Sequence, residues 1–138
     1  MSLERFVAAQ DPVWPDVLAE LEAGRKRTHW IWFVFPQIAG LGRSGMARRY
    51  ALASVAEAAR YLDHPVLGPR LRCATTLMLR HAGQSAEAIL GPVDAMKLRS
   101  SMTLFALARP DELCFAAALD AFWDGAPDPA TLAIARAS

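Results

Sequence analysis

One short run in this chain has the composition of a strand, and nothing else in the sequence offers it a convincing partner. Residues 30–35 read WIWFVF, six apolar residues of which four are aromatic, and such a run is typical of a buried strand. A lone strand leaves its backbone N–H and C=O groups without hydrogen bonds. We therefore predict a short, fully buried helix that is capped by Thr28 and ends at Phe35, because Pro36 disfavours helical geometry in the residue before it.

Capping residues and prolines divide the rest of the chain into further helices. Ser54 and Glu57 form a capping box, Asp11 and Asp128 each precede a proline, and Gly24 stands where a C-terminal glycine belongs. The predicted helices cover approximately residues 3–9, 12–23 (or from 15), 44–52, 54–62, 69–81, 92–108, 110–123 and from 129 onward, with a short turn of helix at 85–90. The sequence thus predicts a single compact all-α domain over residues 1–138, with about seven to nine helices.

Composition indicates a cytoplasmic protein with a large core. Hydrophobic residues make up 54% of the chain, and no apolar run approaches the roughly 18 residues of a transmembrane helix. The first ten residues, MSLERFVAAQ, carry an acid and lack the apolar core of a signal peptide. Cys73 and Cys114 lie in apolar periodic segments and form no CxxC pair, so we expect buried free thiols in a reducing compartment. No membrane contact is expected.

The charge distribution is uneven and points to a local anion site. Six of the fifteen Lys and Arg residues lie between Glu22 and Glu57, a stretch without acidic residues. The other segments carry nine cations against fourteen carboxylates, and the whole chain has a net charge of +1. Nucleic-acid binding usually makes an entire domain basic. The sequence therefore argues against a nucleic-acid partner and favours a small anionic ligand, phosphate- or nucleotide-like.

The segment from Gly24 to Gln37, GRKRTHWIWFVFPQ, joins this positive charge to aromatic surface. Cations after a helix C-terminus interact favourably with the helix dipole, which is the structural alternative. In the functional interpretation, guanidinium and ammonium groups hold an anion, a tryptophan stacks a ring, and an amide selects by hydrogen bonding. Most aromatics in such a run belong to the core. The predicted ligand-binding residues here are Arg25, Lys26, Arg27, Thr28, Trp30, Trp32 and Gln37.

A second group of candidates, DAMKLRSSMT at residues 94–103, lies inside a predicted helix. Spacings of three and four place Asp94, Lys97 and Ser101 on one face, with Ser100 next to them. A desolvated lysine can activate a hydroxyl, so Lys97 and Ser101 are candidate catalytic residues and Asp94 would orient the lysine. His29 is the candidate general acid/base, and Asp94 and Ser100 are further ligand contacts. The structural alternative to a catalytic pair is an ion pair at the surface, with the serines packed against a neighbouring helix. The sequence leaves open whether the chain is an enzyme.

No metal or cofactor is predicted from the sequence. His29, His64 and His81 have no metal-ligand spacing, and no HExxH motif occurs. The glycines at residues 40–45, GLGRSG, follow no predicted strand and fit neither nucleotide fingerprint, so we interpret them as a connector. A non-catalytic interaction module that docks an acidic or apolar partner is the alternative function. The sequence gives no oligomeric state.

Four long segments resemble one known family. They are GRKRTHWIWFVFPQ, GLGRS, EAARYLDHPVLGPRL and ILGPVDAMKLRSSMTLF, and the resemblance runs from about Phe6 through GAPDPATL, nearly the whole chain. The family is the bacterial domain of unknown function (DUF) 1810. The resemblance implies a multihelical all-α domain and a helical conformation for residues 30–35.

The resemblance implies no activity, because the family has no assigned function and offers no catalytic residues to carry over. The family pattern usually has Met at the position of Ile31, which is a mild apolar exchange. The resemblance does mark the positions of the family's characteristic motif residues. These are His29, Trp30, Trp32, Phe35, Pro36 and Gln37 in the first motif, and Asp94, Lys97, Ser100, Ser101, Met102 and Phe105 in the second.

Overall fold

The structure is a computed structural model that describes residues 2–137. These residues form ten α-helices, of which seven are at least seven residues long, and their β pairing is limited to an isolated bridge between Ile38 and Leu52. The all-α prediction is confirmed. The helices are α1 (Glu4–Gln10), α2 (Trp14–Ala23), α3 (Ile31–Val34), α4 (Gly45–Arg49), α5 (Val55–Asp63), α6 (Leu67–Leu79), α7 (Ala86–Leu90), α8 (Pro92–Ala108), α9 (Leu113–Trp123) and α10 (Pro129–Ala137).

The strand-like run forms α3, a single turn of helix as predicted, but the turn is not fully buried, because Trp32 is partly exposed. It ends at Val34, and Phe35 leaves helical geometry with φ −122° and ψ 73°. The predicted cap is wrong: Trp30 holds the N-cap position and no side chain caps the helix. The hydroxyl of Thr28 instead donates a hydrogen bond to Glu20 at 2.6 Å. Thr28 therefore fixes the preceding loop to α2 and leaves the start of α3 uncapped.

Several predicted helix starts are shifted by two or three residues, because proline marks the region of a first turn more than a single position. α2 begins at Trp14, beside Pro15, so Asp11 does not cap it. α6 begins two residues before Pro69, and α9 begins three residues after Pro110. Proline lacks an N–H group, and the first turn of a helix leaves its N–H groups unpaired in any case. A helix can therefore begin either before or after the proline.

α8 is the central helix, and its N-terminal part is more exposed than its middle. It packs against α3, α5, α7, α9 and α10. Leu98 and residues 100–105 are buried, so the middle of the helix is surrounded by protein. Near its N-terminus, by contrast, Val93 is 66% and Met96 is 70% exposed. Large apolar side chains are therefore at the surface at the end of α8 that carries the second group of candidate residues.

Two structural findings bear on the expectations from composition. Within residues 2–137, no helix combines the length and the apolar character that a membrane span requires. Both cysteines are free, as predicted, but Cys73 is exposed on α6 and Cys114 is only partly buried. The prediction that both thiols are buried is wrong for Cys73, because that position of α6 faces solvent.

Candidate functional site

The three cations of the basic segment separate in the structure. The backbone N–H of Lys26 donates to the carbonyl of Ile89 at 2.8 Å, and its side chain is turned inward with only 6% exposed. Its Nζ lies 2.7 Å from Oδ2 of Asp94, at the start of α8. Arg25 and Arg27 are exposed, and neither guanidinium has a hydrogen-bond or ion-pair partner among the described residues. The two predicted motifs therefore do meet, and the contact is an ion pair between them.

Glu20 supplies an internal anion for the same segment. Its carboxylate accepts hydrogen bonds from the backbone N–H of Arg27, the N–H and hydroxyl of Thr28 (2.8 and 2.6 Å) and the indole N–H of Trp30 (3.2 Å). Burial raises the pKa of the Glu20 carboxyl, but these hydrogen bonds outweigh the burial, so the net pKa is below its ordinary value. The backbone, hydroxyl and indole donors of this segment are thus bonded to the protein's own carboxylate, whereas the guanidinium groups of Arg25 and Arg27 are not.

Each of the two lysines in the chain lies over a tryptophan ring. Lys26 Nζ is 5.1 Å from the ring centroid of Trp30, and Lys97 Nζ is 4.7 Å from that of Trp32, both within the range of cation–π interactions. Trp30 is 1% exposed and also packs against Phe35, so it presents no open face to a ligand. Lys97 differs from Lys26 in having no hydrogen bond or ion pair among residues 2–137.

Lys97 forms part of the wall of a surface cavity of about 310 Å³, which we call the α8 cavity. Its walls come from the loop after α3, the exposed end of α8 and the start of α10. Four of the eight lining residues are apolar and four are polar, and most of the surface that they expose to the cavity is apolar, as is typical of small-molecule sites. The apolar residues are Leu41, Val93, Met96 and Ala130, and the polar residues are Gln37, Lys97, Ser100 and Asp128.

Hydroxyl groups on α8 hold the start of α10 against this cavity. The Ser100 hydroxyl bonds to the carbonyl of Met96 (3.1 Å) and lies 3.2 Å from Oδ2 of Asp128. The Thr103 hydroxyl donates to the carbonyl of Arg99 and accepts from the backbone N–H of Asp128 at 2.9 Å. These bonds explain how Ser100 and Thr103 fit inside a buried helix, because their hydroxyl groups are satisfied by the preceding turn and by α10.

A second, smaller cavity of about 240 Å³ lies beside the C-terminal half of α2, and we call it the arginine hollow. Its lining consists of Ala19, Glu20, Ala23, Arg25 and Arg27. An anion in this hollow would lie close to the charged Glu20 carboxylate and to the negative end of the α2 dipole, since Gly24 closes that helix with φ 72°. Both features reduce the attraction of the two guanidinium groups for an anion.

The three candidate catalytic residues do not form a hydrogen-bonded unit. His29 is exposed, lines neither cavity and has no hydrogen bond within the described part of the chain. Ser101 is fully buried, and its Oγ makes no hydrogen bond to any described residue, so it is not bonded to Lys97. A nucleophile and its base must come within hydrogen-bond reach to act together. Of these three residues, Lys97 is the one that the fold places in a cavity wall.

The predicted ligand-binding residues also separate into groups. Those that line the α8 cavity are Gln37 and Ser100, and those that line the arginine hollow are Arg25 and Arg27. The others form intramolecular contacts: Lys26 with Asp94, Thr28 and Trp30 with Glu20, and Trp32 with Lys97.

Sequence reasoning missed Glu20 and Asp128 as parts of these sites. Glu20 lies on the buried stripe of α2 between Val17 and Leu21, and a carboxylate on an apolar stripe is a recognisable sign of an internal partner. Asp128 was recognised only as a helix start. It does cap α10 through the backbone N–H of Thr131 at 3.0 Å, but its contact with Ser100 spans 28 residues and leaves no local signal.

The fold and the site define a class: an all-α protein built around one buried central helix, with a mixed polar and apolar cavity at the exposed end of that helix. The chain belongs to the family described as Protein of unknown function (DUF1810), which it matches over residues 1–135. This confirms the resemblance seen in the sequence motifs.

One solved structure is similar over almost the whole chain. The crystal structure of the conserved hypothetical protein Rv1873 from Mycobacterium tuberculosis matches with a TM-score of 0.96 and 50% sequence identity, covering 99% of this chain and 97% of that one. No protein with a curated description matches significantly. The family and the fold of the chain are thus shown, whereas the family has no assigned function.

Proposed function

We propose that this protein binds a small ligand with a carboxylate or phosphate group in the α8 cavity. One observation carries the proposal: Lys97 lies in the cavity wall with its ammonium over Trp32 at 4.7 Å, and no carboxylate among residues 2–137 pairs with it. A lysine without a partner offers three hydrogen-bond donors and a full positive charge to a ligand. Lys26, in contrast, already holds Asp94.

The neutral polar groups of the cavity suit the same role. The side-chain amide of Gln37 has no hydrogen-bond partner within the described part of the chain, so it can both donate to and accept from a ligand. Ser100 uses its proton within the protein and keeps acceptor capacity. The apolar residues Leu41, Val93 and Met96 would cover the rest of the ligand. This combination of few polar groups and an apolar wall distinguishes the α8 cavity from the arginine hollow.

The cavity also narrows the range of ligands. At about 310 Å³ it lies at the lower end of the range for small-molecule pockets, roughly 300–1,000 Å³. No tryptophan is among the residues that line it, so a nucleobase would find no indole ring to stack on. We therefore favour a compact ligand with one anionic group over a nucleotide.

The experiment is a binding screen with paired variants. Inorganic phosphate, 4-methylpentanoate and leucine are titrated into the parent protein and into Lys97→Met, using calorimetry and thermal shift. A saturating ligand at about a hundredfold excess over Kd stabilises a protein by about 2.7 kcal/mol. We expect at least one probe to bind the parent and to lose roughly tenfold to a hundredfold in affinity with Lys97→Met, the worth of a charged hydrogen bond.

Arg25→Met and Arg27→Met are the matched controls, because they remove a cation from the arginine hollow and leave the α8 cavity intact. We expect them to bind the probes as the parent does. Binding that is lost with the arginine variants and kept with Lys97→Met would move the site to the arginine hollow. If no probe binds the parent, the proposal fails.

A protein-interaction module remains the second candidate, and the exposure of Val93 and Met96 beside the cavity favours it. Exposed apolar side chains that lie together mark contact surfaces. A second copy of this chain can be tested without knowing any other partner. Sedimentation of the parent and of Val93→Asp at several concentrations is the measurement, and a dimer that the variant cannot form would support this alternative.

A further inference from the structure

The α8 cavity carries two opposite charges that are not paired with each other. Lys97 and Asp128 both line it, yet no ion pair joins them in the described part of the chain. Charges of opposite sign in one partly desolvated cavity attract strongly when they are in contact. Because they are not paired with each other, each is available to a complementary group on a ligand.

The two oxygens of the Asp128 carboxylate differ in their hydrogen-bond partners. Oδ2 accepts from the backbone N–H and the hydroxyl of Thr131, at 3.0 and 2.6 Å, and lies 3.2 Å from the Ser100 hydroxyl. Oδ1 makes no hydrogen bond to any residue from 2 to 137. Oδ2 therefore caps α10, while Oδ1 of the same carboxylate is free to accept a hydrogen bond from a ligand.

A ligand with only an anionic group would satisfy Lys97 and bring its charge towards Asp128. Like charges in a cavity disfavour binding, whereas a cationic group at Asp128 turns the same carboxylate into a favourable contact. A ligand with both charges leaves neither wall group unpaired. The charges on the wall therefore select for a ligand that is itself neutral overall.

Building on the proposed function, we propose that the ligand is a zwitterion of amino-acid size with an apolar body. Its carboxylate binds the ammonium of Lys97, its own ammonium binds Oδ1 of Asp128, and its side chain packs on Leu41, Val93 and Met96. The volume of about 310 Å³ accommodates one such molecule. The inference concerns binding alone and requires no chemical step.

Three related probes test each charge separately. Leucine carries both groups, 4-methylpentanoate lacks the ammonium, and leucinamide lacks the carboxylate. For the parent protein we expect leucine to bind at least about tenfold more tightly than either analogue, because each charged hydrogen bond contributes at least that factor. Since this comparison uses only the parent, it does not depend on the folding of any variant.

Two variants then assign the charges to residues. Asp128→Asn keeps a side-chain oxygen to cap α10, since Asn caps helices as well as Asp, and replaces the carboxylate charge in the cavity with an amide. We expect it to weaken leucine about tenfold and to leave 4-methylpentanoate unchanged or more tightly bound, because the repulsion between the two carboxylates is removed. Lys97→Met should do the converse, weakening leucine and leaving leucinamide unchanged or more tightly bound. Urea unfolding of both variants checks that the fold is kept.

The outcomes separate this inference from the proposed function. If 4-methylpentanoate or phosphate binds through Lys97 as tightly as leucine or more tightly, the zwitterion inference is overturned and the anion site stands. An equal effect of Asp128→Asn on leucine and on 4-methylpentanoate would also overturn it. If none of the probes binds the parent, both fail together.

Discussion

The two lysine–tryptophan pairs of this protein have nearly the same geometry and different environments. Lys26 is 5.1 Å from the Trp30 ring and Lys97 is 4.7 Å from the Trp32 ring. Lys26 also has Asp94 at 2.7 Å and a side chain that is 6% exposed, whereas Lys97 has no carboxylate partner among the described residues and lies in a cavity wall. The Asp94 carboxylate makes Lys26 a structural residue, whereas Lys97, which has no such partner, is available to a ligand.

The same contrast holds for the two segments that carry these lysines. In the sequence, residues 25–27 are the densest basic cluster, and the second segment has one lysine among apolar residues. In the structure, Asp94 binds the ammonium of Lys26 and Glu20 accepts from the backbone N–H groups of Arg27 and Thr28, whereas the guanidinium groups of Arg25 and Arg27 stay unpaired. A dense cluster of cations therefore does not by itself mark a ligand site, because one of its charges is paired within the protein and the other two line a hollow with the Glu20 carboxylate.

The largest effect is expected for Glu20→Ala. This change leaves the N–H groups of Arg27 and Thr28 and the indole N–H of Trp30 without their acceptor. A hydrogen bond to a charged group contributes about 1–3 kcal/mol to stability, and an unpaired buried donor costs a similar amount. We therefore expect the free energy of unfolding to decrease by about 3 kcal/mol. Urea unfolding measures it.

Glu22→Ala is the control for that variant, since Glu22 is an exposed residue on the same helix. Its expected effect is within about 0.5 kcal/mol, as for other surface substitutions. Equal effects of the two variants would show that the Glu20 network does not stabilise the basic segment, and the contrast between the two segments would be lost.

The next largest effect is expected for Lys26→Met, which keeps the length of the side chain and removes its charge. Asp94 is then left without its partner although only 19% of its side chain is exposed. The loss of a charged hydrogen bond predicts a decrease of about 2 kcal/mol in the free energy of unfolding. A double-mutant cycle with Asp94→Asn isolates the pair. Additive effects in the cycle would mean that the two charges do not stabilise each other.

The pH dependence of stability sharpens the contrast at Glu20. The pKa of Glu20 in the folded protein is below its ordinary value of 4.5, so its contribution to stability is present above that value and is lost as the pH falls through the folded pKa. We expect the difference in unfolding free energy between the parent and Glu20→Gln to be constant above about pH 6 and to shrink below about pH 4.

The comparison with Glu20→Gln also removes the effect of Glu112, the pKa of which is lowered chiefly by its hydrogen bonds from Arg72. That carboxyl is present in both proteins and cancels in the difference. A difference that stays unchanged through the acidic range would show that the loop does not depend on a charged carboxylate at position 20.

The features that sequence analysis predicted are the local ones. Ser54 caps α5 through the N–H of Glu57, and α8 begins at Pro92, both as expected. The helical state of α3 followed from a global condition, the lack of a strand to pair with. Both kinds of prediction depend on information that is present in the order of residues.

The site was less predictable because its contacts span long distances in the chain. The ion pair of Lys26 with Asp94 joins residues far apart in sequence, and the α8 cavity combines Gln37, Lys97 and Asp128 from three separate elements. Helical spacing led us to expect that Asp94 orients Lys97, which is wrong: Asp94 pairs with Lys26, and Lys97 has no ion-pair partner among residues 2–137. Spacing could not show that Asp94 pairs with another lysine, since that depends on how the loop before α3 packs.

The smallest effect on stability, and the sharpest test of the comparison, is expected for Lys97→Met. A cation–π contact at a partly exposed site contributes about 0.5–1 kcal/mol, and the thioether retains the packing of the aliphatic stem on Trp32. We therefore expect the free energy of unfolding to fall by no more than about 1 kcal/mol, less than for Lys26→Met.

The two variants remove the same group from the same kind of ring, so a difference in stability between them reports the carboxylate at Lys26. If Lys97→Met costs as much as Lys26→Met, Lys97 is a structural residue like Lys26. A small cost together with a loss of ligand affinity would mean that the ammonium of Lys97 serves the cavity and not the fold.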